Sequence, residues 1–347
     1  MKHLVALTLI TAGLVASAGG LDAQPLPPAP NKTVVVFFEN KNYDEIVASC
    51  CAPYLNSLIR AGASLQFWGF HHPSQPNYFE FFAGTTALKM LDGSTVNVWD
   101  DRCISSLDPQ PPGSKVQSLS VTPTLGDAFG DQFIGYAEGY DSSNPSRCSF
   151  GDEGAQPDQP QLLYATRHCP WTAFASLQDN GSGSLAPFTN KQFQQLTTLS
   201  MVTPDIYDDM HSPSTVPPPS PPGCNCRGEV DQMVLQGDTW LQQTLDPYVQ
   251  WAKTNDSLLV VTWDEDNAEE REGPDIDGAR YQWPQNHIAT ILVGPMVIPG
   301  STGYQPYNHY DLLRTILQLH GKPPIGGATT ANLIQGIWNV PPPPTRR

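Results

Sequence analysis

Two apolar runs in this 347-residue chain stop abruptly at acids: TVVVFF is followed by Glu39 and Asn40, and SLLVVTW by Asp264, Glu265 and Asp266. Three more apolar runs end in polar clusters: His72 and Ser74 after SLQFWGF, Glu138 after Gln132 to Tyr136, and Asp205, Asp209 and His211 after Thr197 to Thr203. Oxygen-rich side chains with an occasional histidine suit a divalent cation such as Mg, Mn, Ca or Zn. A serine hydroxyl beside such an ion loses its proton readily and becomes a phosphoryl acceptor. Taken singly, acids after a strand read equally as helix caps or solvated turns. Five such clusters gain chemical meaning only if the fold brings them together.

The elements that must position them follow from spacing. Short continuous apolar runs read as buried strands, and segments of helical spacing lie between them. One helical pattern runs from Tyr43 through Ile46, Tyr54, Leu55, Leu58 and Ile59 to a stop at Gly62. Pro76 suits the first turn of a helix through YFEFFAG, with Ser74 at or just before its N-terminus, where free N–H groups and the dipole hold phosphate best. Asp231 to Ala252 is helical by its apolar spacing and feeds the strand ending at Asp264, and LLRTILQLHG forms a last helix after Asn308 to Asp311. This alternation predicts an α/β fold with a mostly parallel sheet, whose strand ends share one edge. His287 stands at the start of its strand and would face the opposite edge. Leu88 to Gly126 and Asp141 to Gln161 read as loops.

Residues 1 to 23, with Lys2, an apolar stretch and small residues at Ala16 to Ala18, have the layout of a secretory signal peptide. A proline-rich leader (24 to 32), one domain (33 to 338) and a proline-rich tail (339 to 347) follow. No later stretch is long and apolar enough for stable membrane insertion, so the mature chain is expected to be exported, extracellular or periplasmic. Seven cysteines agree with an oxidising compartment, and Cys224-x-Cys226 has metal-like spacing but no partner pair at zinc-finger distance. A formal charge of -16 without a basic stripe argues against nucleic acid. An anionic substrate would need local positive charge from a metal ion or a helix N-terminus.

Seven motifs in order, ENKNYDEI, HPSQPNYFEFFAG, YATRHCPW, TPDIYDDMH, GDTWL, TWDEDN and NHYDLLRTI, resemble the phosphoesterase family that contains secreted acid phosphatases and bacterial phospholipases C. The resemblance spans about Thr33 to Gly336. It implies an alkaline phosphatase-like three-layer α/β/α sandwich and a metal-assisted serine nucleophile. SQPNY is similar to the Thr-Phe-Pro-Asn-His stretch of nucleotide pyrophosphatases, which makes Ser74 the nucleophile and Asn77 a donor to a nonbridging phosphate oxygen. The implied metal ligands are Glu39, Asn40, Ser74, Asp264 and Glu265. Asp205, Asp209, His211 and His309 match the region that supplies a second metal in two-metal relatives; alternatively His211 or His309 contacts phosphate or protonates the leaving oxygen. His72, His168 and His287 are candidate substrate contacts, His72 reading equally as structural. Relatives have His-Asn-Pro where this chain has His168-Cys169-Pro170, a departure that points to a disulfide. The implied activity is that of a secreted, metal-dependent phosphomonoesterase acting through phosphoserine on a phosphorylated small molecule or lipid headgroup. The alternative is a phospholipase C or other phosphodiesterase, with a phosphoinositide phosphatase as an intermediate case. ENKNYDE lacks the Phe-Asp-His-Tyr-Phe-Gly sequence of the lipases. A non-catalytic binding protein of this fold would have lost the nucleophile or the metal acids, and both are present.

Overall fold

The computed structural model describes residues 25–102, 104, 118–140, 148–178, 182–267 and 286–340. The expected signal peptide and the end of the tail lie outside the described residues. In chain order the strands are β1 (Thr33–Phe38), β2 (Ala63–Trp68), β3 (Ala87–Lys89), β4 (Thr95–Asn97), β5 (Phe133–Ala137), β6 (Ser182–Gly183), β7 (Leu199–Thr203), β8 (Leu258–Trp263), β9 (His287–Ile288), β10 (Thr290–Val293) and β11 (Ser301–Asn308). The helices are α1 (Tyr43–Ile46), α2 (Pro53–Ala61), α3 (Ser74–Ala83), α4 (Leu125–Phe129), α5 (Pro160–Leu163), α6 (Ala186–Thr189), α7 (Glu229–Ala252) and α8 (His309–Leu319).

The main sheet runs β11-β2-β10-β8-β1-β7-β5-β6, with β9 paired to β2. β1 lies parallel between β7 and β8, and all six residues of both β1 and β8 are buried. Strands covered on both faces lack the polar alternation of a half-exposed sheet, which is why TVVVFF and LLVVTW are continuous apolar runs. Helices α3, α4 and α8 pack together, and α7 packs with α1, α2 and α6. Two helical layers enclosing one sheet form a three-layer α/β/α sandwich. α3 is buried along all ten residues, so it is apolar around most of its circumference. α8 starts with a capping box, in which Asn308 Oδ1 accepts from the amides of Tyr310 and Asp311 while Asp311 Oδ2 accepts from that of Asn308.

Several expectations change. The helical pattern after Tyr43 is two helices, broken where Cys50 and Cys51 bond to Cys224 and Cys226. Those disulfides occupy the cysteines of the Cys224-x-Cys226 pair, so no zinc site exists there. Cys169 is a free, buried thiol whose Sγ lies 3.2 Å from Thr203 Oγ1, which removes the suggested disulfide at that position. The supposed loop after Leu88 contains the β3-β4 hairpin. β11 was not visible in sequence because Gly303 and Pro306 interrupt it, a composition tolerated on a sheet edge where the ladder shifts register between those residues. β9 and β10 run antiparallel to β2. The start of β9 therefore lies at the carboxyl end of β2, so His287 is at the active edge and not at the opposite one. No helix among the described residues is long and apolar enough to cross a membrane.

Candidate active site

Ser74 is the first residue of α3 and is buried against the carboxyl ends of β1 and β8. Its Oγ donates to Glu39 Oε2 at 2.8 Å and lies 3.2 Å from Glu265 Oε1 and 3.4 Å from Asn40 Oδ1. Asn40 has a positive φ of 38°, a conformation that asparagine tolerates better than most residues, and its amide points at Asp264 Oδ1 at 3.2 Å. Gly69 allows the loop after β2 to reach this centre. A Cβ there would stand 2.7 Å from the Asp264 carbonyl oxygen and 2.8 Å from Asn286 Oδ1, distances no side chain accepts. Asn286 then ties the loops together, accepting from the amide of Asp266 and donating to the His71 carbonyl.

Three acids are buried together at this centre. Burial, followed by the charge of Asp264, pushes the Glu39 carboxyl well above the usual range, and burial followed by Glu265 does the same to Asp264. Glu265 is raised to about 7, chiefly by burial. Asp264 Oδ2 is buried without a hydrogen-bond partner. An orphaned buried polar atom ordinarily costs about 1–3 kcal/mol, and more when charged, so its persistence among three convergent acids fits a hard cation bound by oxygen. Burial alone would depress His72, but hydrogen bonds to Asp266 and Glu265 more than offset this and raise it to about 10. Its two nitrogens lie 3.0 Å from Glu265 Oε2 and 3.1 Å from Asp266 Oδ1, so it braces the acids of the β8 end.

A second group adjoins the first through Glu39. Tyr78, one turn along α3 from Ser74, donates a short hydrogen bond to Glu39 Oε1. His168 Nε2 lies 3.3 Å from that same oxygen, and its Nδ1 is 2.9 Å from Asp209 Oδ2. Glu39, His168 and Asp209 place ligand atoms within 4.8 Å of one another. Burial, then the charges of Arg167 and His211, hold His168 well below its ordinary pKa.

Other residues from the sequence reading sit differently. Asp205 is in a separate cluster with Glu138 and Asp208, where its Oδ1 accepts from the amides of Tyr207 and Asp208. His309 is fully buried among Phe37, Phe67 and Phe70 and lies 2.9 Å from the Asp264 carbonyl oxygen through Nε2. Asp205, Asp209, His211 and His309 thus do not converge on one ion, and His309, enclosed by aromatic rings, is not placed to protonate a leaving group. His211 Nδ1 faces Ser212 Oγ at 2.9 Å, and that hydroxyl donates to Glu153 Oε1. His211 Nε2 faces Arg167 Nη2 at 3.3 Å. Because a guanidinium only donates, this nitrogen accepts and carries no proton, so His211 is not set as the acid either. Burial, with the charges of Arg167 and Lys41, lowers it to about 3. Asn77 uses its side chain to fold the loop: Oδ1 accepts from the amides of Phe70 and His71, and Nδ2 donates to the His71 carbonyl and, at 3.4 Å, to Glu265. It is therefore not a free phosphate donor. His287 is stacked between Tyr43 and Trp68, with ring centroids 4.2 and 4.6 Å away.

Sequence reading did not single out Tyr78, Asp101 or Arg167. Tyr78 was marked by its i+4 spacing from Ser74 on one helix face. Arg167 was a cation inside a motif read only for its histidine. Asp101 carried no local signal.

The fold is similar to that of a protein in the alkaline phosphatase superfamily. A member from Vibrio parahaemolyticus matches over 89% of this chain and 71% of its own, with a TM-score of 0.51 at 12% sequence identity. Residues 48–323 match the model of the Phosphoesterase family, and the chain belongs to that family. It is 33% identical to the phosphatidylinositol-3-phosphatase of Mycobacterium tuberculosis, over 97% of this chain and 94% of that protein. It is 23% identical to the phosphate-repressible acid phosphatase of Penicillium chrysogenum, covering 88% of this chain and 64% of the fungal one. The chain is accordingly a hydrolase of phosphoric ester bonds.

Proposed function

We propose that this is an exported, metal-dependent phosphomonoesterase that forms a phosphoserine at Ser74. The observation that carries the reading is the contact of one buried hydroxyl with Glu39, Asn40 and Glu265 beside the orphaned oxygen of Asp264. Glu39, Asn40, Ser74, Asp264 and Glu265 would hold one divalent cation, whose chemistry is to acidify the hydroxyl and to stabilise charge on phosphoryl oxygens. Glu39 Oε2 accepts the Ser74 hydrogen and is placed to receive it as Oγ bonds to phosphorus. Tyr78, by donating to Oε1, fixes which carboxylate oxygen faces the serine. The ester P–O bond breaks as the Oγ–P bond forms, and the departing oxygen takes a proton from solvent water. Water then attacks phosphorus, the Oγ–P bond breaks, and the hydroxyl and inorganic phosphate are released. The positive end of the α3 dipole favours the anion at each stage, although Pro76 has no N–H and the Gln75 amide is bonded to Asp101 Oδ1.

Identity to a phosphatidylinositol-3-phosphatase over nearly the whole chain favours a lipid-headgroup monoester as a natural substrate. Two disulfides among the described residues support export. The test compares an aryl monophosphate with a bis-aryl phosphodiester, with and without chelator, for the wild type and Ser74→Ala. The monoester is expected to turn over faster, chelation to abolish turnover, and Ser74→Ala to lose at least about 10³-fold in kcat. Full activity of Ser74→Ala would refute the nucleophile, and indifference to prolonged chelation would refute the metal.

A further inference from the structure

We propose that Arg167 binds the phosphoryl oxygens of the substrate opposite the metal ligands, and that Asp101 and His211 hold its guanidinium in place. The assignment rests on the phosphomonoesterase reading above. Arg167 is only 7% exposed, yet its neighbours leave part of its hydrogen-bonding capacity open. Nη1 donates to the Phe150 carbonyl, Nη2 donates to His211 Nε2 at 3.3 Å, and Nε lies 3.2 Å from Asp101 Oδ2. A guanidinium carries five N–H groups, so one hydrogen on each of Nη1 and Nη2 has no partner among the described residues. Nε, though within ion-pair distance of Asp101, makes no hydrogen bond of good geometry, and open N–H groups on a buried guanidinium suit phosphoryl oxygens.

Arg167 connects to the nucleophile by two routes. Asp101, which pairs with Nε, accepts through Oδ1 from the amide of Gln75, the residue after Ser74, at 3.0 Å. On the other side, His168, the next residue in the chain, is 3.3 Å from Glu39 Oε1, and Glu39 holds the Ser74 hydroxyl. The charge of Arg167 is felt at both Glu39 and Asp209, whose carboxyls it draws downward against the larger effect of burial. Lys41, another buried cation close by, commits two of its three N–H groups to the carbonyls of Asn40 and Met210, and burial lowers its pKa. A substrate phosphoryl group entering a site with four acids (Glu39, Asp209, Asp264 and Glu265) in a chain of charge -16 needs such a cation. His211, fixed as the tautomer that accepts from Nη2, acts through Arg167 and is a positioning residue.

The experiment measures inhibition by inorganic phosphate, kinetics on aryl monophosphates of graded leaving-group acidity, and Mn²⁺ affinity by calorimetry. The proteins are the wild type, Arg167→Gln, Arg167→Lys, His211→Ala and the Arg167→Gln/His211→Ala double variant, each checked for folding by thermal unfolding. Arg167→Gln retains a donor for Phe150 or His211 without the charge. It is expected to weaken phosphate inhibition about 10- to 100-fold, the range of a lost charge-assisted hydrogen bond, and to leave Mn²⁺ affinity within about threefold. Arg167→Lys is expected to recover part of that loss. His211→Ala should shift phosphate inhibition the same way by less, equally for all leaving groups, and add nothing in the double variant. Unchanged phosphate inhibition in folded Arg167→Gln, with monoester turnover intact, would overturn the proposal and leave the serine mechanism standing. A kcat loss in His211→Ala that grows with leaving-group pKa would overturn its positioning role. Absence of monoester turnover in the wild type, or full turnover in Ser74→Ala, would instead overturn the underlying reading.

Discussion

Replacing Glu265 by glutamine is expected to stabilise the metal-free protein near neutral pH, and a bound cation is expected to narrow that advantage. Glu265 is buried, and burial, partly offset by His72 and reinforced by Glu39 and Asp101, lifts its carboxyl from an ordinary 4.5 to about 7. Between those pH values the folded chain keeps the proton that the unfolded chain has released. The folded state of the metal-free protein therefore loses stability as pH rises through that window. The displacement corresponds to about 3 kcal/mol. Glutamine has nothing to ionise, so in chelator the two proteins should differ little at pH 4.5, while at pH 7 the variant should have gained about 3 kcal/mol relative to the wild type, or about 6 °C in Tm. His168, His211 and His309 have depressed pKa values and stabilise the fold as pH rises, but they are common to both proteins and cancel in the difference, whereas His72, which Glu265 helps to raise to about 10, loses part of that shift in the variant and offsets part of the gain. With Mg²⁺ or Mn²⁺ in hundredfold excess over its Kd, the wild type should gain about 2.7 kcal/mol and the variant, lacking one ligand, less. Thermal unfolding at the two pH values, with chelator and with cation, measures both effects. A stability difference that is the same at pH 4.5 and pH 7 in chelator would refute the claim that burial holds the Glu265 carboxyl protonated in the metal-free protein.

Two further predictions concern the scaffold that brings the ligands together. Gly69→Ala, which puts a carbon 2.7 Å from the Asp264 carbonyl oxygen, should cost about 1–3 kcal/mol and weaken cation binding measured by calorimetry; an unchanged Tm and affinity would show that the loop yields freely. Cys51→Ser/Cys226→Ser removes one disulfide without leaving an odd thiol, and should lower stability by about 2–4 kcal/mol in denaturant titration while the metal affinity of the active site persists. Loss of active-site metal affinity in proportion to stability would instead mean that the bridge holds the site itself.

Much of the site was legible because its acids end strands that are buried on both faces. The abrupt change from TVVVFF to Glu39 and from LLVVTW to Asp264 is a local pattern, and a mostly parallel sheet gives it a common edge. Ser74 was legible through Pro76 and the apolar helix behind it. Strand direction was harder: β10 is as apolar as the mutually parallel strands β1, β7 and β8, so nothing in IATILVGP distinguishes antiparallel pairing, and His287 was placed at the wrong edge. β11 lacked an apolar run because an edge strand needs none.

The histidines mark the boundary most clearly. Strand-end position and the family resemblance together nominated His72, His168, His211, His287 and His309, in different roles, but a histidine's sequence neighbours do not specify the partners of its ring nitrogens. Tertiary contacts gave each a different position: between two acids for His72, between Glu39 and Asp209 for His168, behind Arg167 for His211, and within aromatic surroundings for His287 and His309. Asp101 and Arg167 became visible only when a loop about 25 residues past the serine folded back onto the first turn of its helix. By itself the sequence determined which side chains could ligate and attack, since residue type and the period of a strand or helix are local properties. Which of them meet and which nitrogen carries a proton were decided by contacts between distant segments, and those depend on packing that no local pattern encodes.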